Sequence, residues 1–321
     1  MNKVWRLIGI RLALGCATLL VVSLVVFIAV SSLPGDVAEE TLGSQATPEA
    51  VEAFRKQLGL DLPPYIRYFD WLGKVLTGEF GRSFVSNRPI AGLIADRLVN
   101  TLYLAAFAGA IAVTLGLSLG ILLARYRGSW LDRLMNAFVL TCISLPQFLI
   151  AYLLIIALAV DRQWFPPLAY VDGSTGLGTR LYVSALPALV LAITTAAHIM
   201  RMTRASIVSV MSSPYMEMAR LKGVDPRRLI LNHALPNALA PIISVVALNL
   251  AYLVVGVVIV EVIFVYPGLG QLLIDAVSKR DIPVIQIVAL IFAMTYVLLN
   301  TAADIATILV NPRILHPRQG G

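Results

Sequence analysis

Apolar residues run through this chain in long uninterrupted blocks, and the charged ones gather between them. Six stretches contain no Asp, Glu, Lys or Arg: 12–35, 98–124, 134–160, 181–200, 229–260 and 282–303. Each can supply the roughly 20 residues that a helix needs to cross a hydrocarbon core about 30 Å thick. The fifth is too long for one crossing. Its polar members Asn232, His233, Pro236 and Asn237 belong to the preceding loop, which puts the start of the crossing near Leu239. The pattern predicts an all-α integral membrane protein with six transmembrane helices. It divides into a first helix with a long outer loop (1–97), a five-helix core (98–310) and a short tail (311–321).

The interruptions carry more detail. In the outer loop, 32–97, Thr47-Pro48 reads as an N-cap followed by proline at the first helical position. Val51, Phe54 and Leu58 then recur at helical spacing before Gly59. A second amphipathic piece, 64–76, lies between Pro63 and Gly78. Both are expected as short helices over the outer mouth, forming a cap or a docking surface. The 98–124 stretch contains Gly116-x-x-x-Gly120, spacing that lets a neighbouring helix approach closely. The third crossing is broken by Ser144-Leu145-Pro146-Gln147, where the proline frees a backbone carbonyl and should kink the helix. Polar groups at such depth are costly against lipid. Ser144, Gln147 and Asn249 are therefore candidates for lining a path through the membrane, with hydrogen bonding between helices as the alternative. His198 has no His, Cys or Glu constellation around it in the sequence, which argues against a metal role. Asp304 is expected to pair with Arg201 or Arg204.

Composition changes little in this picture, but charge orients it. Charged residues are 13% of the chain and apolar ones 59%, against about 25% charged in soluble domains. With the N-terminus inside, the inner segments hold 14 basic residues and three acids, and the outer ones 11 basic and 14 acidic. Short loops obey the positive-inside rule, so both ends of the chain face the cytoplasm. The net charge of +7 is an orientation signal; it is not gathered on a soluble face as nucleic-acid binding requires. Cys16 and Cys142 both lie in spans as small packing residues, with no disulfide or metal spacing. The first apolar run is too long for the core of a cleaved signal peptide.

The loop between the fourth and fifth crossings is the most structured polar segment. Residues 214–221 read as a short helix ended by Gly223. Asp225-Pro226 then restart the chain as N-cap and first helical residue. A second helix over 227–235 and a turn at Pro236 would follow. The expected product is a hairpin exposing Met216, Met218 and Leu221 beside Glu217, Arg220 and Lys222. A loop that merely fixes topology needs no caps or exposed methionines, whereas a knob that seats in a groove on another protein does.

This hairpin resembles the EAA loop of bacterial ABC-importer permeases, on Glu217, Ala219, Gly223 four residues later, and Leu235-Pro236. The rest of the chain resembles the dipeptide/oligopeptide/nickel permeases. The resemblance rests on Leu33-Pro34-Gly35-Asp36, Leu58-Gly59-Leu60-Asp61, Gly81-Arg82-Ser83, Ser144-Leu145-Pro146, Pro267-Gly268-Leu269-Gly270 and Asn311-Pro312-Arg313, in that order. Met218, His233 and Asn311 depart from the usual pattern. The resemblance implies a type I importer permease fold in the bacterial inner membrane, with a coupling loop at 205–236 that contacts an ATPase through Tyr215, Glu217, Met218, Ala219, Arg220, Lys222, Gly223 and Asp225. It implies a related second permease, two ATPase subunits, an extracytoplasmic substrate-binding protein and surrounding lipid as partners. ATP and Mg belong to the partner ATPase: the chain has no G-x-x-x-x-G-K-[ST] loop, so it is expected to be a non-catalytic pore subunit without cofactor or metal. Short peptides are the expected cargo, with nickel chelates, glutathione or opines as alternatives. Outside the family stands an ion-coupled secondary transporter, which needs buried carboxylates near mid-membrane and inverted repeats. In sequence, Asp304 is the one acid that suggests itself.

Overall fold

The computed structural model describes residues 2–32, 47–57, 59 and 61–310. The landmarks at 33–36, 58, 60 and 311–313, and the tail 311–321, lie outside them. In order the helices are α1 (Asn2–Ser31), α2 (Pro48–Gln57), α3 (Pro64–Thr77), α4 (Ile90–Arg125), α5 (Trp130–Ser144), α6 (Gln147–Val160), α7 (Leu177–Met211), α8 (Pro214–Leu221), α9 (Pro226–Ile263), α10 (Leu269–Ser278) and α11 (Ile282–Val310). Five of these, α1, α4, α7, α9 and α11, are long and apolar enough to cross a membrane, and the bent pair α5–α6, counted as one span, gives a sixth. The two expected outer-loop helices form. Thr47 Oγ1 accepts from Ala50 N at the start of α2, and Gly78 closes α3 in the left-handed conformation at φ 82°.

The seam between α4 and α7 organises the core. A Cβ on Gly116 would sit 2.7 Å from Ile199, and one on Gly120 2.7 Å from Thr203 and 2.9 Å from the Met200 carbonyl. Only glycine lets these two helices touch along their backbones, as the four-residue spacing implies. Van der Waals packing of this kind must hold the bundle, since lipid tails are as apolar as leucine and give helices no hydrophobic reason to associate. Helix α1 is the most peripheral. Leu12, Leu14, Leu20, Val21 and Val25 are exposed, the surface that acyl chains cover. It is fastened to α11 where Gly15 meets Val297 and Thr301, and by Arg11, which donates to Asp304 at 2.9 Å.

Three expectations are corrected here. Asp304 pairs with Arg11 rather than with Arg201 or Arg204. Arg204 instead makes two 2.7 Å hydrogen bonds to the buried carboxylate of Asp132 in the first turn of α5. At Pro146 the third crossing breaks instead of kinking. Leu145 is forced into an extended conformation (φ −81°, ψ 134°) by the proline that follows it, and α5 and α6 are bent by 108°. Finally, Asn232, His233, Pro236 and Asn237 are not in a loop, because α9 runs unbroken through them. Pro236 cannot donate to the carbonyl four residues back. A π-helical turn over Leu229–Ala234 immediately before it absorbs one extra residue and lets the helix continue.

The outer end holds a buried polar cluster that the sequence pattern does not disclose. Glu261, at 0% exposure, ends α9 and faces the first turn of α10. Its carboxylate accepts from Thr101 Oγ1 (2.6 Å), Gly270 N (2.6 Å) and Gln271 N (3.3 Å), while Thr101 Oγ1 accepts from Leu269 N (2.8 Å). Three amides that α10 cannot satisfy internally are thus held by two side chains from other helices. A Cβ on Gly268 would collide with that carboxylate. Asn100 donates to the Pro267 carbonyl at 2.9 Å and accepts from Arg180 at 2.7 Å, extending the cluster to α7. Beside it, Asp281 accepts from Ser83 Oγ and from Phe84 N, fastening the outer loop to the start of α11. Glu261, Asp132 and Asp281 are all less than 6% exposed, so Asp304 is not the chain's best-buried acid.

Candidate functional site

The cytoplasmic hairpin is built almost wholly by backbone rules. Pro214 occupies the first turn of α8, where its missing N–H costs nothing. After Leu221 the chain closes in a Schellman arrangement: Gly223 N donates to the Arg220 carbonyl (3.0 Å) and Val224 N to the Ala219 carbonyl (3.3 Å). That closure needs the left-handed φ of 79° found at Gly223. Asp225 Oδ2 then accepts from Arg227 N (2.9 Å) and Arg228 N (3.4 Å), capping α9. Tyr215 Oη and His233 Nδ1 lie 2.8 Å apart, binding α8 to the π turn of α9. So α8 sits rigidly on the inner end of the fifth crossing, with no loop between that end and the membrane.

Met216 (1% exposed) and Ala219, three residues apart, face inward and pack on Ile207, Leu229, Ile230 and Ala234. Met216 is therefore an anchor rather than part of the exposed surface expected of it. Tyr215 (55%), Met218 (57%) and Leu221 (76%) do face outward, among exposed Glu217, Arg220, Lys222 and Asp225. Three large apolar side chains thus stand in solvent, ringed by charges. Of the expected coupling residues, seven lie on this outward face and Ala219 supports it from beneath.

Above the hairpin, α6, α7 and α9 line a recess of about 400 Å³, open on one side. Gln147 and Asn249 both line it; Ser144, the third candidate, does not. Thr194, Thr195, His198 and Tyr252 join them, with leucines forming the rest of the wall. Gly256 makes room for Gln147, since a Cβ there would come 3.1 Å from its Oε1. Thr194 and Thr195 donate to the Leu191 carbonyl (3.3 and 2.8 Å), and Asn249 Nδ2 donates to the Val245 carbonyl (2.8 Å), which leaves Asn249 Oδ1 without a partner among the described residues. His198 is exposed to the recess, between buried Ala197 and Ile199. In sequence it looks isolated because its neighbours come from other helices. Among the described residues no group of three or more His, Cys, Asp or Glu could hold a metal ion.

Comparison with known proteins agrees with this anatomy. Residues 116–316 match the family described as binding-protein-dependent transport system inner membrane component, and residues 4–105 match the N-terminal family of the same membrane components. The glutathione transport system permease protein GsiC of Escherichia coli K12 is 39% identical over 297 residues, covering 92% of this chain and 94% of that protein. GsiC of Shigella flexneri serotype 5b is 38% identical over the same length. Among solved structures, an inward-facing form of the MetNI methionine ABC transporter superposes with a TM-score of 0.55 at 19% identity, covering 70% of this chain and 99% of that one, a likeness of fold. A capped hairpin fused to a membrane helix, six crossings and matches along nearly the whole chain leave one identification: this protein belongs to the inner-membrane components of binding-protein-dependent transport systems, the multi-pass permeases of ABC importers.

Proposed function

We propose that this permease conducts short peptides into the cell by alternating access, powered by two ATPase subunits of which one docks on α8. It pairs with a related second permease and receives substrate from an extracytoplasmic binding protein. The observation that carries the reading is the fusion of hairpin and crossing. A push on Met218 or Leu221 reaches α9 through the Schellman closure, the Tyr215–His233 bond and the packed Met216, with no flexible segment to absorb it. The recess along the membrane part of that helix then offers amide, hydroxyl and imidazole groups to a solute. Peptide cargo suits these groups, which complement a backbone without demanding particular side chains. A second reading, glutathione itself, is favoured by the name that the GsiC relatives carry.

The test is reconstitution. A Met218→Cys variant should form a disulfide with a cysteine in the groove of the co-expressed ATPase. The assembled complex in liposomes should accumulate di- and tripeptides only with ATP and loaded binding protein. Accumulation driven by an ion gradient alone would refute the proposal, and accumulation of glutathione with no other peptide would select the second reading.

A further inference from the structure

We infer that His198 recognises the substrate's free carboxylate inside the membrane recess, while Gln147 and Asn249 hold its amides, so that the pore itself selects acidic-ended peptides. The inference rests on the peptide reading above and deepens it.

The recess contains unfilled hydrogen-bonding capacity. Within the described residues neither the carboxamide of Gln147 nor the ring of His198 makes a hydrogen bond, and Asn249 spends only one of its two N–H donors. Facing lipid, such groups would be costly, so this opening is shaped for water or a polar solute. A histidine retained for packing would be buried among its neighbours. His198 instead projects from a stretch of α7 in which Ala196, Ala197, Ile199 and Met200 are all buried.

Charge gives the sign of the ligand. None of the residues lining the recess is acidic. Arg201 follows His198 by three residues, one turn along the same face of α7, and adds positive potential. The carboxylate on the inner half of this helix's surroundings, Asp132, is already saturated by Arg204, Gly128 and Asn136. A cationic solute would find no counter-charge here. An anionic oxygen finds an imidazole N–H with an arginine behind it. The volume falls within the range of roughly 300–1,000 Å³ that small-molecule sites occupy, and the leucine walls accept side chains without choosing among them.

The experiment uses the complete transporter in liposomes with saturated binding protein. It compares uptake of one short peptide as the free acid and as its C-terminal carboxamide. A hydrogen bond to a charged group predicts a preference for the acid of about tenfold in the wild type. His198→Ala should bring the two forms to about twofold or less, and His198→Arg should restore the preference. Each ratio is taken within one preparation, so loss of folded protein cancels. Uptake by the wild type with discrimination unchanged in His198→Ala would overturn this inference alone. A wild-type complex that takes up neither form would overturn the peptide reading and this inference with it.

Discussion

Gly223 shows how far one residue's stereochemistry dictates the backbone around it. Its position after a short helical pattern predicts a left-handed closure, and the backbone there has a φ of 79°. Nothing lies within 4 Å of where its Cβ would be, so the requirement comes from backbone conformation and not from crowding. A β-branched residue should cost about 1–2 kcal/mol at this position, whereas asparagine tolerates it. Gly223→Val should therefore abolish uptake while protein levels in the membrane stay normal, and Gly223→Asn should transport. Normal uptake by the valine variant in the liposome assay would remove the argument. Met216 is less legible in sequence than its neighbour. A pattern of exposed methionines cannot tell which of two residues on an eight-residue helix turns inward, because the packing partners Ile207 and Leu229 come from helices on either side.

At the scale of elements, crossings and caps can be read from sequence because they follow from local chemistry, and bends cannot. Pro146 and Pro236 look alike in sequence, yet one ends a helix and the other continues it. At the first, Leu145 becomes extended and the chain changes direction by 108°. At the second, a π turn accommodates the ring, and the Tyr215–His233 and Asn237–His233 hydrogen bonds support that turn from outside. Helix α10 stays hidden for a related reason: its start is satisfied by Thr101 and Glu261, residues 168 and 9 positions away from the amides they hold. This clamp makes a quantitative prediction. Glu261→Ala leaves Thr101 and two amides unpaired in a closed site and should cost about 3 kcal/mol. Gly268→Ala should destabilise in the same direction by driving a methyl into the carboxylate. Thermal unfolding of the detergent-solubilised protein checks both, and a Glu261→Ala variant melting with the wild type would show that the clamp holds nothing.

For the whole molecule, everything depends on which side of the membrane α8 occupies, and the bend between α5 and α6 is where that is decided. Counted as one crossing, the pair carries the chain from the inner face at Arg125–Trp130 to an outer segment at 161–176, and α7 then returns it to the cytoplasm. Counted as a re-entrant loop, it would leave 161–176 inside and put the hairpin outside, out of reach of any ATPase. The six basic residues in 201–236 choose the first arrangement by the positive-inside rule. The length of α7 fits as well: 35 residues span about 52 Å, enough to cross the hydrocarbon and carry Arg201 and Arg204 beyond it. Two single-cysteine variants, made in a background with Cys16 and Cys142 replaced by alanine, separate the alternatives. An impermeant maleimide added to intact spheroplasts should label Ser174→Cys at once and Met218→Cys only after the membrane is opened. The reverse pattern would move the hairpin to the outer face, and with it the surface on which Tyr215, Met218 and Leu221 are laid out could not receive force from a cytoplasmic motor.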